Sequence, residues 1–443
     1  DNAVFQHGVP LPIWGTTRPG AKVEAAFAGQ TKTTTANQNG TWRITLDSLK
    51  ATKLKSVNDV PESHTLTLTS TLNGERAVRE LGNIAIGDVW ICAGQSNMAG
   101  SIRRAVNPKN HPPDTVAAAN YPGLRFLKVE EQAWDVCTPD TVLGCSRVAF
   151  FFARRVQQDA LVPIGLIVRA VGGSNIESWL NQDPYPVGKN YESLMTPVVG
   201  YGIRGAVWYQ GESNEKDGLA YQPKLETLIT GWRKAWGMGD FPFHFVQLPG
   251  IKESPTDNPA MGDGRAGIRQ AFFKTLALPN TGMAVTIDVG TPGEHPPNKY
   301  DTADRLARSV LKKVYGFENI SACPLYKSHQ VVGNTIRVSF TDDAKSGLMI
   351  AKKADTLPEG FQPPVSSPEA KLQWLSIQAD NGSWHWADGK IDGAELVVSA
   401  AGVGKPVAVR YAHTTQPRGH LLYNMEGMPV APFSTVGDDA SEK

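Results

Sequence analysis

Nowhere in the chain does an apolar run reach the ~18 residues that would suggest a membrane-spanning helix. Charge of one sign is missing too: 44 Lys and Arg stand against 43 Asp and Glu, a formal net charge of +1. Proteins that neutralise phosphates carry a basic footprint, so this balance argues against a nucleic-acid partner. Cysteine is scarce. None of the four forms a Cys-x-x-Cys pair, and the nine histidines contain no His-x-His or His-Glu-x-x-His, so neither a metal nor another cofactor is predicted. Cys137 and Cys145 lie in a turn-rich loop with Thr138, Pro139, Asp140 and Gly144. A disulfide there is sterically reasonable and would suit an oxidising compartment; the other reading is two unrelated thiols. Cys92 is expected to pack as a small apolar residue. The opening Asp-Asn-Ala-Val-Phe lacks a basic segment followed by an apolar one. The expectation is a protein whose signal peptide has been removed, periplasmic or secreted, with a cytosolic protein as the alternative.

What is present describes a globular chain of 443 residues, 41% hydrophobic and 20% charged, long enough for two or three domains. Residues 1–86 read as a β-sandwich-like domain: β-rich runs at Val23–Phe27, Trp42–Leu46 and Thr65–Thr69 are separated by Pro-Gly and Asn-Gly turns. Over 87–318, strands alternate with helical stretches at Arg147–Gln157, Tyr221–Trp236, Arg265–Leu276 and Ala303–Tyr315. That alternation predicts an α/β domain, a parallel sheet with helices on both faces. Residues 319–443 return to β with Thr335–Phe340, Leu372–Ile377, Glu395–Ser399 and Val407–Tyr411.

The chemistry gathers in the middle. The apolar strand Val89–Ala93 runs into Gly94-Gln95-Ser96, where the chain must turn. A serine at the carboxyl edge of a parallel sheet sits where α/β folds place ligands, although serine is also a preferred helix N-cap. Three further segments favour the first reading. Ile164–Val171 gives way to Gly172-Gly173-Ser174-Asn175; Gly205–Tyr209 delivers Gln210, Gly211 and Glu212; Ala284–Gly290 leads to a loop with Gly293-Glu294-His295-Pro296. Acyl transfer needs a nucleophile, a base and amide donors for an oxyanion, and these four strand ends offer all three. His244, inside the strand Phe241–Leu248, is expected to be packed rather than catalytic.

These blocks together resemble the SGNH hydrolases, and within them the sialate O-acetylesterase-like branch that includes carbohydrate esterase family 20. The motifs that carry the resemblance are Gly94-Gln95-Ser96-Asn97-Met98, Trp208-Tyr209-Gln210-Gly211-Glu212-Ser213-Asn214 and His295-Pro296-x-x-Lys299. It continues through Gly231–Trp236 and Phe241–Leu248 and covers nearly the whole chain. The resemblance implies an SGNH-type sheet and makes Ser96 the nucleophile and His295 the general base. Backbone N–H groups of Ser96 and Gly173 and the side-chain amide of Gln210 become the oxyanion donors. In one place the chain departs from the pattern: where many relatives carry an aspartate three residues before the histidine, this sequence has Pro292. The group that orients His295 is then Glu294, a backbone carbonyl or Asp288, with Glu294 placed first.

The implied activity is a serine acetylesterase acting on an acetylated carbohydrate, plant hemicellulose such as xyloglucan or xylan ahead of acetylated sialic acid. The alternative of another class is a non-catalytic carbohydrate-binding protein with a decayed site. Tyr185, in a proline- and glycine-containing loop, and Trp179 are the candidate sugar contacts, whereas Trp208 is expected mainly to pack.

Overall fold

Strand β1 (Glu75–Gly94) is exposed over its first six residues and fully buried from Ile84 to Gly94. A segment buried on both faces belongs in the interior of a layered α/β fold, and that is where the computed structural model puts it. The structure describes residues 1–105, 111–112, 114–127, 133–254, 257–354, 356 and 361–436. The central sheet joins β1 to β2 (Tyr121–Leu127), β3 (Trp134–Cys137), β4 (Ile164–Ala170), β5 (Gly205–Tyr209), β6 (Phe243–Val246) and β7 (Thr281–Ala284). Their order is β7-β6-β5-β1-β4-β2-β3, parallel throughout except for the edge pair β2 and β3. The chain places β2 and β3 on one side, returns to set β4 beside β1, then crosses to the other side and builds outward through β5, β6 and β7. The end of β1 is thus a switch point, the crevice where open α/β sheets hold ligands.

Among the described residues five α-helices accompany the sheet: α1 (Ser96–Ala99), α2 (Arg147–Ala160), α3 (Tyr221–Trp236), α4 (Ala266–Thr275) and α5 (Lys299–Tyr315). Trp90 pairs with Gly205 and Trp208 with Ala93, so the two tryptophans project from opposite faces. Trp90 packs edge-on against Phe152 of α2, and Trp208 against Trp232 of α3. Helices therefore cover both faces. The Ser146 hydroxyl caps α2 by accepting from Ala149 N–H at 3.2 Å, and Asn298 caps α5 by accepting from Asp301 N–H at 3.0 Å. No helix among the described residues is long and apolar enough to cross a membrane.

Three expectations need correction or refinement. The run Ala284–Gly290 is not a strand beyond Ala284. Val285 and Ile287 are buried by neighbouring elements without ladder bonds, and Thr286 Oγ1 donates instead to the Gln247 carbonyl at 2.5 Å. Cys137 and Cys145 are not joined: all four cysteines are free, buried thiols. Burial pushes the Cys137 thiol up to about 12 and Cys145 well above the usual range, so both pack as small apolar groups. The expected limit near residue 86 falls inside β1. Its first half pairs antiparallel with His64–Leu72, its second half parallel with β4 and β5, and no break separates them.

The amino-terminal strands Lys22–Phe27, Gln30–Thr35 and His64–Leu72 extend that antiparallel sheet, and a ribbon of Leu11–Thr16 and Thr41–Leu46 accompanies it. The carboxyl-terminal part is built from three antiparallel sheets. It braces the centre through Arg269 of α4, fully buried, whose guanidinium donates to the carbonyls of Leu248, Thr414 and Thr415.

Candidate active site

The strand β1 can deliver a side chain into the switch-point crevice only because of Gly94. Its φ is +143°, and a Cβ at this position would lie 2.0 Å from the Tyr209 carbonyl oxygen of β5. Gln95 N–H then donates to that same carbonyl at 3.0 Å, and Ser96 opens the short helix α1. Its hydroxyl meets His295 Nε2 at 2.8 Å. Two residues far apart in sequence and brought from different loops thus form the nucleophile and base pair that acyl transfer requires.

Asn97, the next residue, holds the histidine loop in place. It is 2% exposed. Its Nδ2 donates to Glu212 Oε1 at 2.5 Å and to the Glu294 carbonyl at 3.0 Å, while its Oδ1 accepts from the Lys299 ammonium. The amide orientation is fixed by its partners, because a carbonyl and a carboxylate only accept and an ammonium only donates. Burial, reinforced by Arg147, pulls Lys299 down to about 7, and the Glu212 carboxylate opposes that shift. The second Glu212 oxygen is buried with no partner among the described residues. The motifs thereby find a common physical cause: Asn97, Glu212 and Lys299 converge on one buried hub tied to the residue before His295.

A second hub backs the glycine turn after β4. Val171 N–H donates to the Gly94 carbonyl at 3.0 Å, and a Cβ on Gly172 would stand 3.7 Å from Ser96 Cβ, so this turn lies alongside the serine. Gly173 adopts φ +72°. Among the described residues, neither Ser96 N–H nor Gly173 N–H donates to a protein acceptor. Gln210 differs from expectation. It is fully buried; its Nε2 donates to the Ser174 carbonyl at 3.1 Å and to Asn214 Oδ1 at 2.8 Å, and its Oε1 accepts from Tyr221 at 2.7 Å. Both amide hydrogens are therefore engaged, and Gln210 supports the turn instead of offering a free donor. Asn214 cannot flip to release it, because its own Nδ2 donates to Glu177 and Asp217, both of which pair with Lys224.

The remaining expected residues separate by geometry. The Glu294 carboxylate is exposed and has no hydrogen bond or ion pair among the described residues, so it is not the orienter; side chains adjacent along an irregular loop diverge, and only the Glu294 carbonyl is used. Asp288 is also committed elsewhere. Arg305 grips both its oxygens at 2.5 and 2.7 Å and Tyr423 donates to it at 3.2 Å. Burial alone would raise the Asp288 carboxyl, but the Arg305 charge outweighs it and holds the group below its usual range. Trp179 is not available to substrate: it is 0% exposed, packed edge-on against Trp208, with its indole N–H on Ser174 Oγ. Tyr185 is half-buried against the core at the surface loop. His244 is packed as expected; burial pulls it down to about 3, and its Nδ1 lies 3.0 Å from Ser309 Oγ.

The chain is similar to known carbohydrate esterases. A family model described as "Carbohydrate esterase, sialic acid-specific acetylesterase" matches residues 86–295. The sialate O-acetylesterase of Homo sapiens is 26% identical over 95% of this chain and 88% of its own length, and that of Mus musculus 25% identical over 95% and 90%. Among solved structures, a carbohydrate acetylesterase from Xanthomonas citri superposes with a TM-score of 0.82 at 28% identity, covering 98% of this chain and 97% of its own.

Proposed function

We propose that this chain, similar over residues 86–295 to the sialate O-acetylesterase-like carbohydrate esterases, is a carboxylic ester hydrolase that removes O-acetyl groups from a polysaccharide or oligosaccharide by a serine-based reaction. The observation that carries the mechanism is the 2.8 Å contact between His295 Nε2 and Ser96 Oγ. Ser96 Oγ attacks the ester carbonyl carbon as His295 Nε2 takes its proton. The carbonyl oxygen becomes an oxyanion facing the N–H groups of Ser96 and Gly173, which have no protein acceptor among the described residues. Collapse of the intermediate breaks the bond to the sugar oxygen, which takes the proton from His295, and leaves acetyl-Ser96. Water, deprotonated by His295, then releases acetate and restores the serine. The pair acts as a dyad in this reading, with the loop tether through Asn97 positioning His295.

Hemicellulose such as xyloglucan or xylan is the substrate we favour, with Tyr185, half-buried in its surface loop, as the sugar contact. A polymer of that kind is met in the periplasm or outside the cell. The curated relatives favour a second reading, acetylated sialic acid. Acetate release from acetylated xylan, xyloglucan and O-acetylated sialic acid, by wild type and by Ser96→Ala, tests both. We expect turnover on at least one of these that Ser96→Ala lowers by several orders of magnitude; a serine-independent rate would refute the serine mechanism, and no turnover on any of them would leave a non-catalytic carbohydrate-binding protein. We further propose that residues 1–86, 87–318 and 319–443 form three parts, with β1 as the shared strand of the first two.

A further inference from the structure

The carboxyl-terminal sheets carry an open groove with a cavity of about 570 Å³ that the reaction described above does not use. Leu372, Leu375 and Ala387, all buried, form its floor. Two tryptophans meet over that floor nearly at right angles: Trp374 and Trp386 have ring centroids 6.3 Å apart and an interplanar angle of 79°. Trp386, on the edge strand Trp384–Trp386, is 36% exposed, which is unusual for so large an apolar side chain. Lys371, Gln373 and His420 supply a polar rim.

The groove is held open by design of its backbone. Trp374 takes φ +60°, a conformation that bulky residues rarely adopt and that persists only where the surroundings impose it. Its indole N–H donates to the Arg418 carbonyl at 2.7 Å, and its carbonyl accepts from Ala412 N–H at 2.8 Å. Gln373 is clamped to the same strap: its N–H donates to the His420 carbonyl at 3.0 Å, and its Oε1 accepts from His420 N–H at 2.8 Å. A Cβ on Gly419 would fall 1.8 Å from that Oε1, so only glycine lets the strap close. The Gln373 Nε2 group has no partner among the described residues. The strap also continues toward the proposed reaction site. Arg418 and Gly419 line a smaller cavity of about 140 Å³ together with Asp288 to Pro292, the segment that leads to His295.

We infer that this groove is an accessory glycan-binding site, which takes a pyranose ring of a neutral polysaccharide against Trp386 and Trp374. Indole faces match the C–H faces of a pyranose, and the rim matches its ring of hydroxyls. A lipid chain would leave the rim groups unmet. A polyanion lacks a cationic surface here, because Lys371 is paired with Asp388 at 2.6 Å. Continuity of the strap with the His295 loop gives the occupant its identity: the chain of the same carbohydrate whose ester is cleaved. The inference rests on the esterase reading only for that last identification.

The test uses the full chain and chemically deacetylated ligands, so that no turnover accompanies binding. Calorimetric titration with deacetylated xyloglucan, xylan and mixed-linkage β-glucan is expected to give binding to at least one. Trp386→Ala should weaken it at least tenfold, Trp386→Phe by less than threefold, and both variants should hydrolyse 4-nitrophenyl acetate at the wild-type rate. Unchanged affinity in Trp386→Ala, or no binding of any of the three by wild type at millimolar concentration, overturns the inference. A wild-type chain that binds a glycan through Trp386 yet hydrolyses no ester refutes the esterase reading and leaves this site standing.

Discussion

Replacing Asn97 with alanine removes three hydrogen bonds from a site that water does not reach, and the structure allows the cost to be worked out. The bonds to Glu212 and from Lys299 involve charged partners, about 1.5–3 kcal/mol each, and the bond to the Glu294 carbonyl contributes about 1 kcal/mol. The sum is roughly 4–7 kcal/mol when Lys299 is charged. Lys299 titrates near 7, so above that pH it sheds its proton and escapes much of its share, bringing the loss down to roughly 3–5 kcal/mol. Stability of Asn97→Ala should therefore fall further below wild type at pH 6 than at pH 9. Activity should fall for a different reason. Without its tether the Glu294 carbonyl, and His295 after it, can shift, and a displacement on the order of 1 Å costs about a hundredfold in rate. Urea melts at the two pH values, with single-turnover hydrolysis of 4-nitrophenyl acetate under native conditions, measure both effects. A variant within about twofold of wild-type turnover and within about 1 kcal/mol of its stability would refute the tether.

Glu294→Gln should stay within about twofold of wild-type turnover, because its carboxylate has no partner among the described residues; a hundredfold loss measured on the same ester would restore it as the orienter. Lys299 has a folded value near 7 against an ordinary 10.5, so between those values the unfolded chain binds more protons and wild-type stability rises with pH. Lys299→Met should flatten that slope in urea melts taken from pH 7 to 10, and an unaltered slope would assign it to another group. Gly94→Ala should give little soluble protein or an inactive one, since its Cβ would sit 2.0 Å from the Tyr209 carbonyl oxygen; normal yield and turnover would contradict the backbone geometry drawn for the serine turn.

The parallel sheet was legible because β4, β5 and the buried end of β1 are apolar and run into glycine turns, and the helix Tyr221–Trp236 was read with its observed bounds, ending before Gly237, φ +63°. The pairing of Ser96 with His295 came from the family resemblance that the motifs carry. What the sequence concealed were the partners of polar side chains. Gln210 and Glu294 have the right chemistry at the right positions, yet their usefulness depends on which atoms already hold them, and no periodicity reports that. Trp179 misled for a similar reason: a tryptophan beside a loop and a tryptophan in a core share one letter. Asn97, Glu212 and Lys299 were quoted as motif letters without a role, and nothing in the pattern of α5, whose buried face also carries Asp301 and Arg305, set Lys299 apart.

The continuity of β1 also bears on how this chain can be cut and recombined. Its amino-terminal strands resemble a detachable module, but a cut between Ile86 and Gly87 would sever the strand that presents Ser96 and would leave its buried stretch starting at a raw end. Trimming from the amino terminus up to Leu72 spares β1 itself while stripping its first half of the ladder partner that His64–Leu72 provides. A shortened enzyme would have to keep that partner or supply another, so the amino-terminal sheet is inherited with the catalytic strand as one piece.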